Sequence, residues 1–447
     1  MTGSPRKDRA AITGPRALVA VVVVALAGGA VGIGLGLRGH ARPVVGAART
    51  AEAATPAAGS TSIPMPIKPP AVAAPTPTPW QAPSTIAYVE PGSVSFPTAS
   101  DGWTLGDACD AQQDCETGVA RTTDGGATWA MVTPPVDPNP ANVSLMGLAS
   151  ASSDDAWVWG TDSDGDGVFE ATHDGGETWQ PGGVSGQVVD VAIAGETVWA
   201  ETGCAQDAGA SCPVNVLSAP VGGGLWTDLA SLPAAVQGAP ISNSVLGGPQ
   251  LVRSGGSAWL LNDNQSEPGL VSTDDGGLSW ILLSSPCPTF ERLSLAASSD
   301  DLMLTCVDMG AWPAPQEVWA SDDGGASWLL RSREYTSLLS PPLADVGTID
   351  SMGAPIGLAL LSSTTAWMVN DREDDLVTHD DGVTWAPALL PQSAAWNNAG
   401  GGEGLTFANA LDGWTFNSAG LWATTDGGAG WQAQPIIGPV PGWSPSS

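Results

Sequence analysis

Hydrophobic residues in this chain come in short runs separated by polar, glycine-rich turns, and from Tyr88 onward the alternation is periodic. A first apolar or alternating stretch, such as Arg292 to Ala297 or Gly357 to Leu361, is followed by a second that opens on a small or acidic pair and a tryptophan. The second stretch reads Asp101-Gly102-Trp103, Asp155-Ala156-Trp157, Glu196-Thr197-Val198-Trp199, Ser257-Ala258-Trp259, Thr365-Ala366-Trp367 and Asp412-Gly413-Trp414. One copy, Asp300-Asp301-Leu302, lacks the tryptophan. A third stretch runs into a box of the form Thr/Ser-x-Asp-x-Gly-x-Thr/Ser-Trp, and a fourth leaves it. Short apolar runs bounded by glycine and aspartate predict strands, not helices. Each unit therefore predicts four strands, A to D, with the box at the C–D turn.

The box begins at Thr122 and ends at Trp129, and it returns with its last residue at Trp179, Trp280, Trp328, Trp385 and Trp431. Its aspartates are Asp124, Asp174, Asp275, Asp323, Asp380 and Asp426, spaced by 50, 101, 48, 57 and 46 residues. The gap of 101 is two periods, and Ser218 to Trp226 fills it with the serine, the glycines and the tryptophan but no aspartate. Seven units of four strands, with a period near 50, predict an all-β, seven-bladed propeller of four-stranded antiparallel blades over residues 85–440, followed by a tail, 441–447.

The box chemistry suits a turn. An aspartate carboxylate accepts hydrogen bonds from turn N–H groups, and Ser/Thr hydroxyls close the same turn. Glycines permit positive φ, and the tryptophan covers the hairpin and packs on the neighbouring strand. Six aspartates in equivalent turns fit structure; catalysis needs different residues converging on one place. These units resemble the Asp-box, or BNR, repeats of the sialidase-like superfamily, found in sialidases, sortilin-type receptors, some glycoside hydrolases and photosystem II assembly factor-like proteins. The D-G-W element followed by T-T-D-G-G-A-T-W most resembles the last group, whose propellers have seven blades. The resemblance covers about residues 86–437 and implies the fold; the photosynthetic role is not carried over.

Charge and composition extend the picture outside the repeats. Residues 1–16 hold Arg6, Lys7, Arg9 and Arg16 and form a basic cytoplasmic tail, and 17–37 is an uncharged, mostly apolar stretch. That length predicts a transmembrane signal-anchor helix. A cleaved signal peptide is the rival, with Ala25-Leu26-Ala27 as a small-residue cleavage site. Residues 38–84 are rich in proline and alanine and read as an extended, disordered linker. Both readings place the propeller outside the cytoplasm, single-pass and membrane-bound in one case, secreted in the other.

Of 46 acidic residues, 44 follow Tyr88, against six arginines, which excludes a nucleic-acid partner because phosphate contacts need a basic surface. The six cysteines form three near-neighbour pairs, Cys109/Cys115, Cys204/Cys212 and Cys287/Cys306, and suggest three disulfides in an oxidising compartment. If the boxes occupy C–D turns, all six cysteines map to the opposite face. Disulfide-closed loops there suit either recognition or durability. Asp162, Asp164 and Asp166, followed by Glu170, match the start of an EF-hand-like calcium loop, although His173 stands where the bidentate glutamate belongs. The alternatives are a non-EF Ca²⁺ site and a solvated Asp/Gly turn.

A sialidase needs an arginine triad, a Tyr/Glu nucleophile pair and an early F/Y-R-I-P motif, which is absent. Arg292, Arg372, Tyr335 and Glu291 are the remaining candidates, and the arginines have abundant acids to pair with. No nucleophile elbow, phosphate loop or zinc spacing occurs. The chain therefore reads as a non-catalytic binding or assembly scaffold for a protein or glycan, joined to the membrane through its N-terminal helix, with no catalytic residue assigned. The alternative is a glycan-active hydrolase, an exo-sialidase or another glycosidase, because such chemistry needs only two carboxylates.

Overall fold

The computed structural model of the 447-residue chain describes residues 86–136, 143–203, 213–237, 250–262, 269–287, 292–308, 316–334, 346–349, 355–370, 375–388, 404–417 and 420–438. The chain divides into two units, Met1–Ala74 and Pro75–Ser447. The first, with the expected spanning segment at 17–37, lies outside the described residues, as does the linker to residue 84. Among the described residues no helix is long and apolar enough to cross a membrane.

The second unit is all-β. Seven sheets follow one another, each built from consecutive strands in the order A-B-C-D, giving seven antiparallel blades. Blade 1 comprises Ile86–Ser95, Gly102–Asp110, Cys115–Thr122 and Ala130–Met131. The others span 143–181, 187–228, 250–283, 292–349, 355–387 and 404–433. Blade 5 departs from the expected four strands. Gly347–Ile349 adds a fifth, parallel to its strand D, Leu329–Glu334. A Cβ on Gly347 would overlap the Val383 carbonyl of blade 6, so only glycine admits this close approach.

The middle of strand B is mostly apolar because each blade is covered by a neighbour on both sides. In blade 2 the B residues Ala156 to Trp159 are all buried, as are Ala258 to Leu261 in blade 4. Alternation decides which seam each side chain enters: Val198 and Ala200 pack toward blade 2, while Trp199 packs with Leu251, Leu260 and Val271 of blade 4. Strand D, two residues long in blades 1, 2, 3, 6 and 7, is the exposed outer edge.

Each strand-B tryptophan reaches into the following blade. Trp103 meets Trp179 edge-on, Trp199 meets Trp280, and Trp367 meets Trp431, with ring centroids 6.3, 6.1 and 5.7 Å apart. Edge-to-face pairs of this kind contribute about 0.5–1.5 kcal/mol beyond burial. The indole N–H groups add direction: Trp103 Nε1 donates to Ser152 O and Trp259 Nε1 to Gly324 O. Two box tryptophans return the contact through their N–H groups, Trp179 Nε1 donating to Thr133 O of blade 1 and Trp385 Nε1 to Ser332 Oγ of blade 5. These two fasten two blades together, a wider reach than covering their own hairpins.

Among the described residues no strand is exchanged between the first and last blades. The ring closes by packing. Trp414 of blade 7 stacks on Phe96 of blade 1 at 3.6 Å, its Nε1 donates to Gly125 O at 3.0 Å, and Val89 N donates to Ile436 O at 3.1 Å. Trp414→Ala should therefore lower stability by about 3–5 kcal/mol, read as a fall in Tm; an unchanged melting curve would contradict closure through this contact.

Candidate functional site

The repeated turns carry most of the chain's ordered polar chemistry. In blade 1, Asp124 Oδ1 accepts from Thr122 Oγ1 and Thr128 N, both at 2.8 Å, and Oδ2 accepts from Thr128 Oγ1 at 2.6 Å. Thr122 Oγ1 accepts in turn from Gly126 N at 3.0 Å. Gly125 and Gly126 take φ of 74° and 96°, which a side chain resists. The same bonds recur around Asp174, Asp275, Asp323 and Asp380. Around Asp426 the last hydroxyl is missing because Gly430 occupies its place.

Each turn is also tied to the A–B loop of its own blade: Gly125 N donates to Ser100 O, Gly175 N to Asp154 O, Gly324 N to Asp300 O and Gly427 N to Leu411 O. The A–B loops and repeat turns thus share one face, as the strand alternation requires. These bonds stabilise the ionised carboxylates. The Thr128, Ser279 and Ser327 hydroxyls hold Asp124, Asp275 and Asp323 below the usual range, Asp275 at about 2. At Asp174 and Asp380, burial pulls the other way and is outweighed by Thr178 and Thr384. For Asp426 the Gly430 N–H leads.

On the opposite end of the blades, disulfides join Cys109 to Cys115 and Cys287 to Cys306. The first closes the B–C hairpin of blade 1; the second ties the connection after blade 4 to the end of strand B in blade 5. Cys204 and Cys212 lie outside the described residues.

The Asp162 hairpin has its own internal order. Asp162 Oδ1 accepts from Asp164 N and Asp166 N, each at 2.9 Å, and Asp162 N donates to Asp166 O. The hairpin of blade 1 is built the same way: Asp110 Oδ1 accepts from Gln112 N and Asp114 N. There the Asp164 position is Gln112, so this turn needs only its first aspartate. Glu170 does not join the loop. It pairs with Val158, four residues along strand B from Asp162, a distance of roughly 13 Å at strand rise. Among the described residues no three His, Cys, Asp or Glu side chains gather as a metal-binding group.

Three arginines act as staples between blades. Arg121 Nη1 donates to Ser153 O of blade 2. Arg253 donates to Thr197 O and Oγ1 of blade 3 and lies 4.0 Å above the Trp199 ring. Arg331 donates to Asp381 O and pairs with its carboxylate at 2.7 Å in blade 6. Arg292 is buried on strand A of blade 5, while Arg372, Tyr335 and Glu291 fall outside the described residues.

Two carboxyls unmarked by any motif face the seam between blades 3 and 4. Asp190 and Glu201 stand opposite each other on strands A and B of blade 3. Asp190 accepts from Val191 N and from Leu251 N of blade 4, both at 2.8 Å. Burial still pushes its carboxyl up to about 6. Glu201 is 0% exposed, and burial, followed by the charge of Asp190, pushes it well up. Asp190 has a packing role shared with other blades: Ser93 Oγ accepts from Leu148 N, and Gln250 Oε1 from Leu295 N. Inner strands are laced in this way at three seams.

A cleft of roughly 340 Å³ opens between blades 4 and 5 on the face of the repeat turns. Trp259, Ser272 and Ile281 line it together with Asp274, Asp300 and Asp322. The outer hairpin of blade 4 beside it exposes Leu278, Ile281 and Leu282.

No protein-family model matches the chain, and no curated protein matches it. Solved propellers do. A GH74 xyloglucanase from Xanthomonas campestris aligns at TM-score 0.52 with 17% identity, over 79% of this chain and 55% of that one. A prolyl endopeptidase aligns at 0.51 with 12% identity, over 79% and 50%. This chain therefore spans about half the length of each. A YCF48 structure bound to a D1 peptide aligns at 0.47 with 16% identity, over 78% and 98%. At these identities the likeness is one of fold.

Two outcomes follow from the turns. Because Asp275 is depressed to about 2, its contribution is complete above the unfolded value of 3.8 and is lost as pH falls toward 2. Asp275→Asn should therefore lower the neutral-pH Tm and flatten the acid limb of a melting profile. Asp162→Ala should lower Tm equally in EGTA and in millimolar Ca²⁺; a Ca²⁺-dependent rise in the wild type, lost in this variant, would show a metal site.

Proposed function

We propose that this chain is an Asp-box propeller, held outside the cytoplasm by an N-terminal anchor and a proline-rich stalk, which binds a protein or glycan without catalysing a reaction on it. One observation carries the reading: the described groups best suited to chemistry are engaged in holding the ring together. The repeat aspartates spend both carboxylate oxygens, or one at Asp426, on their own turns. Arg121, Arg253 and Arg331 each staple one blade to the next, on three different seams, so they form no triad for a substrate carboxylate. Glu201 is buried between blades with Asp190 opposite it, the latter holding main-chain N–H groups of Val191 and Leu251.

A rigid ring with exposed loops at both ends is what a binding scaffold needs. Its acidic surface favours a cationic protein or a neutral glycan. The disulfide-closed end supports the first choice of recognition face, since cross-linked loops lose little entropy on binding. Glycoside hydrolysis stays in competition on one observation: Asp274, Asp300 and Asp322 line the blade 4–5 cleft, and a glycosidase needs two carboxyls across such a cleft. Fold alone does not choose, because propellers host enzymes and binders alike.

A panel of fluorogenic glycosides, including a sialoside, should give turnover at the level of the blank. Turnover that disappears in Asp300→Asn would assign the hydrolase instead. For the anchor, the mature protein should retain residues 1–27 by N-terminal sequencing of the membrane fraction; a chain starting at Gly28 would establish a cleaved, secreted form.

A further inference from the structure

Two residues after the strand-B tryptophan, or after Leu302 in blade 5, six blades hold Leu105, Trp159, Leu261, Leu304, Val369 and Phe416, all buried. In blade 3 that position is Glu201. It is as buried as its apolar counterparts, and both its carboxyl oxygens lack a hydrogen-bond partner. It shares the face of Trp199, two residues earlier, which packs on Leu251 and Leu260 of blade 4. Asp190, directly opposite, turns the same way, as its bond to Leu251 N shows.

The charged groups around this position are few. Strand A of blade 3 contributes Asp190, and strand A of blade 4 contributes Arg253, whose guanidinium is committed to Thr197 and to the Trp199 ring. Strand C of blade 3, Asn215–Pro220, carries no titratable side chain. Neither does strand B or C of blade 4, Ser257–Asn262 and Gly269–Thr273, nor the short helical turn Ala234–Val236. Among the described residues Glu201 therefore faces one like charge, and Arg253, held through both terminal nitrogens at Thr197 with only its Nε unpartnered, makes no bond to it.

We infer that Glu201 is a proton-dependent latch in the seam between blades 3 and 4, closing the seam as a neutral carboxylic acid and favouring an opened seam as a carboxylate. An ionised carboxylate left without donors in an apolar seam is strongly disfavoured, so the closed state keeps its proton. The direction of its acidity agrees: burial first, and then Asp190, raises it. The sign follows by linkage. Above pH 4.5 an unfolded or opened chain has released this proton while the closed ring retains it, so closure weakens as pH rises. Asp190 adds to the same trend between 3.8 and about 6.

A second feature places the weakness in the same blade. Blade 3 has the one repeat turn without its aspartate, and that turn exposes Leu225 at 89%. Where the other turns are closed by a carboxylate, Gly223 N here donates only to Pro220 O. The blade with the buried acid is thus also the blade with the least-fastened turn.

The test uses the full-length chain, wild type beside Glu201→Gln and Glu201→Leu, the latter restoring what blades 1, 4 and 5 carry. The wild-type Tm should fall from pH 4.5 to 8, and both variants should flatten that slope. At pH 7, amide exchange across Gln250–Ser254 should be faster in the wild type than in either variant, and the difference should shrink as pH falls to 4.5. An infrared band of a protonated carboxyl persisting at pH 8, above the range in which Asp190 titrates, in the wild type is a third readout that needs no variant to fold. Unaltered pH slopes in both variants, exchange changes away from this seam, or absence of the band would each overturn the latch. A rise in wild-type Tm with millimolar Ca²⁺ at pH 7, lost in Glu201→Gln, would replace it with a cation site.

Discussion

Each blade of this ring is covered on both faces by its neighbours, and that constraint governs nearly every choice of residue in it. A blade buried on two sides cannot use the half-polar alternation of an exposed sheet, so the middle of strand B becomes a mostly apolar run such as Ala156 to Trp159. Seams become the unit of stability. Tryptophan fills them because it supplies a large apolar area together with one N–H that fixes orientation. Trp103 and Trp179 show the two directions of this exchange, one reaching forward to Ser152 and the other back to Thr133. The final seam, Trp414 on Phe96, does for the first and last blades what the others do for consecutive blades.

The same constraint explains why polar chemistry is pushed to the turns and the inner strands. Six turns bind their aspartates with three or four hydrogen bonds, which keeps those carboxylates ionised and rigid and removes them from any reactive role. Inner strands use short polar side chains, Ser93, Asp190 and Gln250, to take up main-chain N–H groups of the next blade. Arginine, scarce in this chain, is used where a long side chain can span a seam and meet a carbonyl. The loops at the ends of the blades and the cleft beside blade 4 lie outside these networks.

Much of this was legible in the residues because it repeats. Six boxes at one spacing, with an eroded seventh at Ser218–Trp226, give the blade number, and the structure places the turns between strands C and D as the spacing requires. Near-neighbour cysteines gave the pairs Cys109/Cys115 and Cys287/Cys306. What did not repeat was harder to read. The added strand Gly347–Ile349 follows a long connection with no period of its own. Arginine staples join residues some 30 to 56 positions apart, a relation that linear spacing does not reveal. The three aspartates from Asp162 resemble a calcium loop because a tight turn and a cation select the same residues: oxygen acceptors at alternate positions and a glycine. The blade 1 hairpin makes the same turn bonds with Gln112 at the Asp164 position.

Glu201 reverses the usual direction of inference from a repeat. Residues shared by all blades report what the ring needs in order to close, and so they are silent about what this protein does with it. Six blades place an apolar side chain at that seam position, which shows that packing alone asks for nothing more. A carboxyl there weakens the seam it occupies, and the neighbouring loss of the turn aspartate weakens the same blade again. Stability selects against both changes. Their coincidence in one blade is best understood as a cost carried for a property of that seam, and protonation is the property that a buried carboxyl without donors supplies.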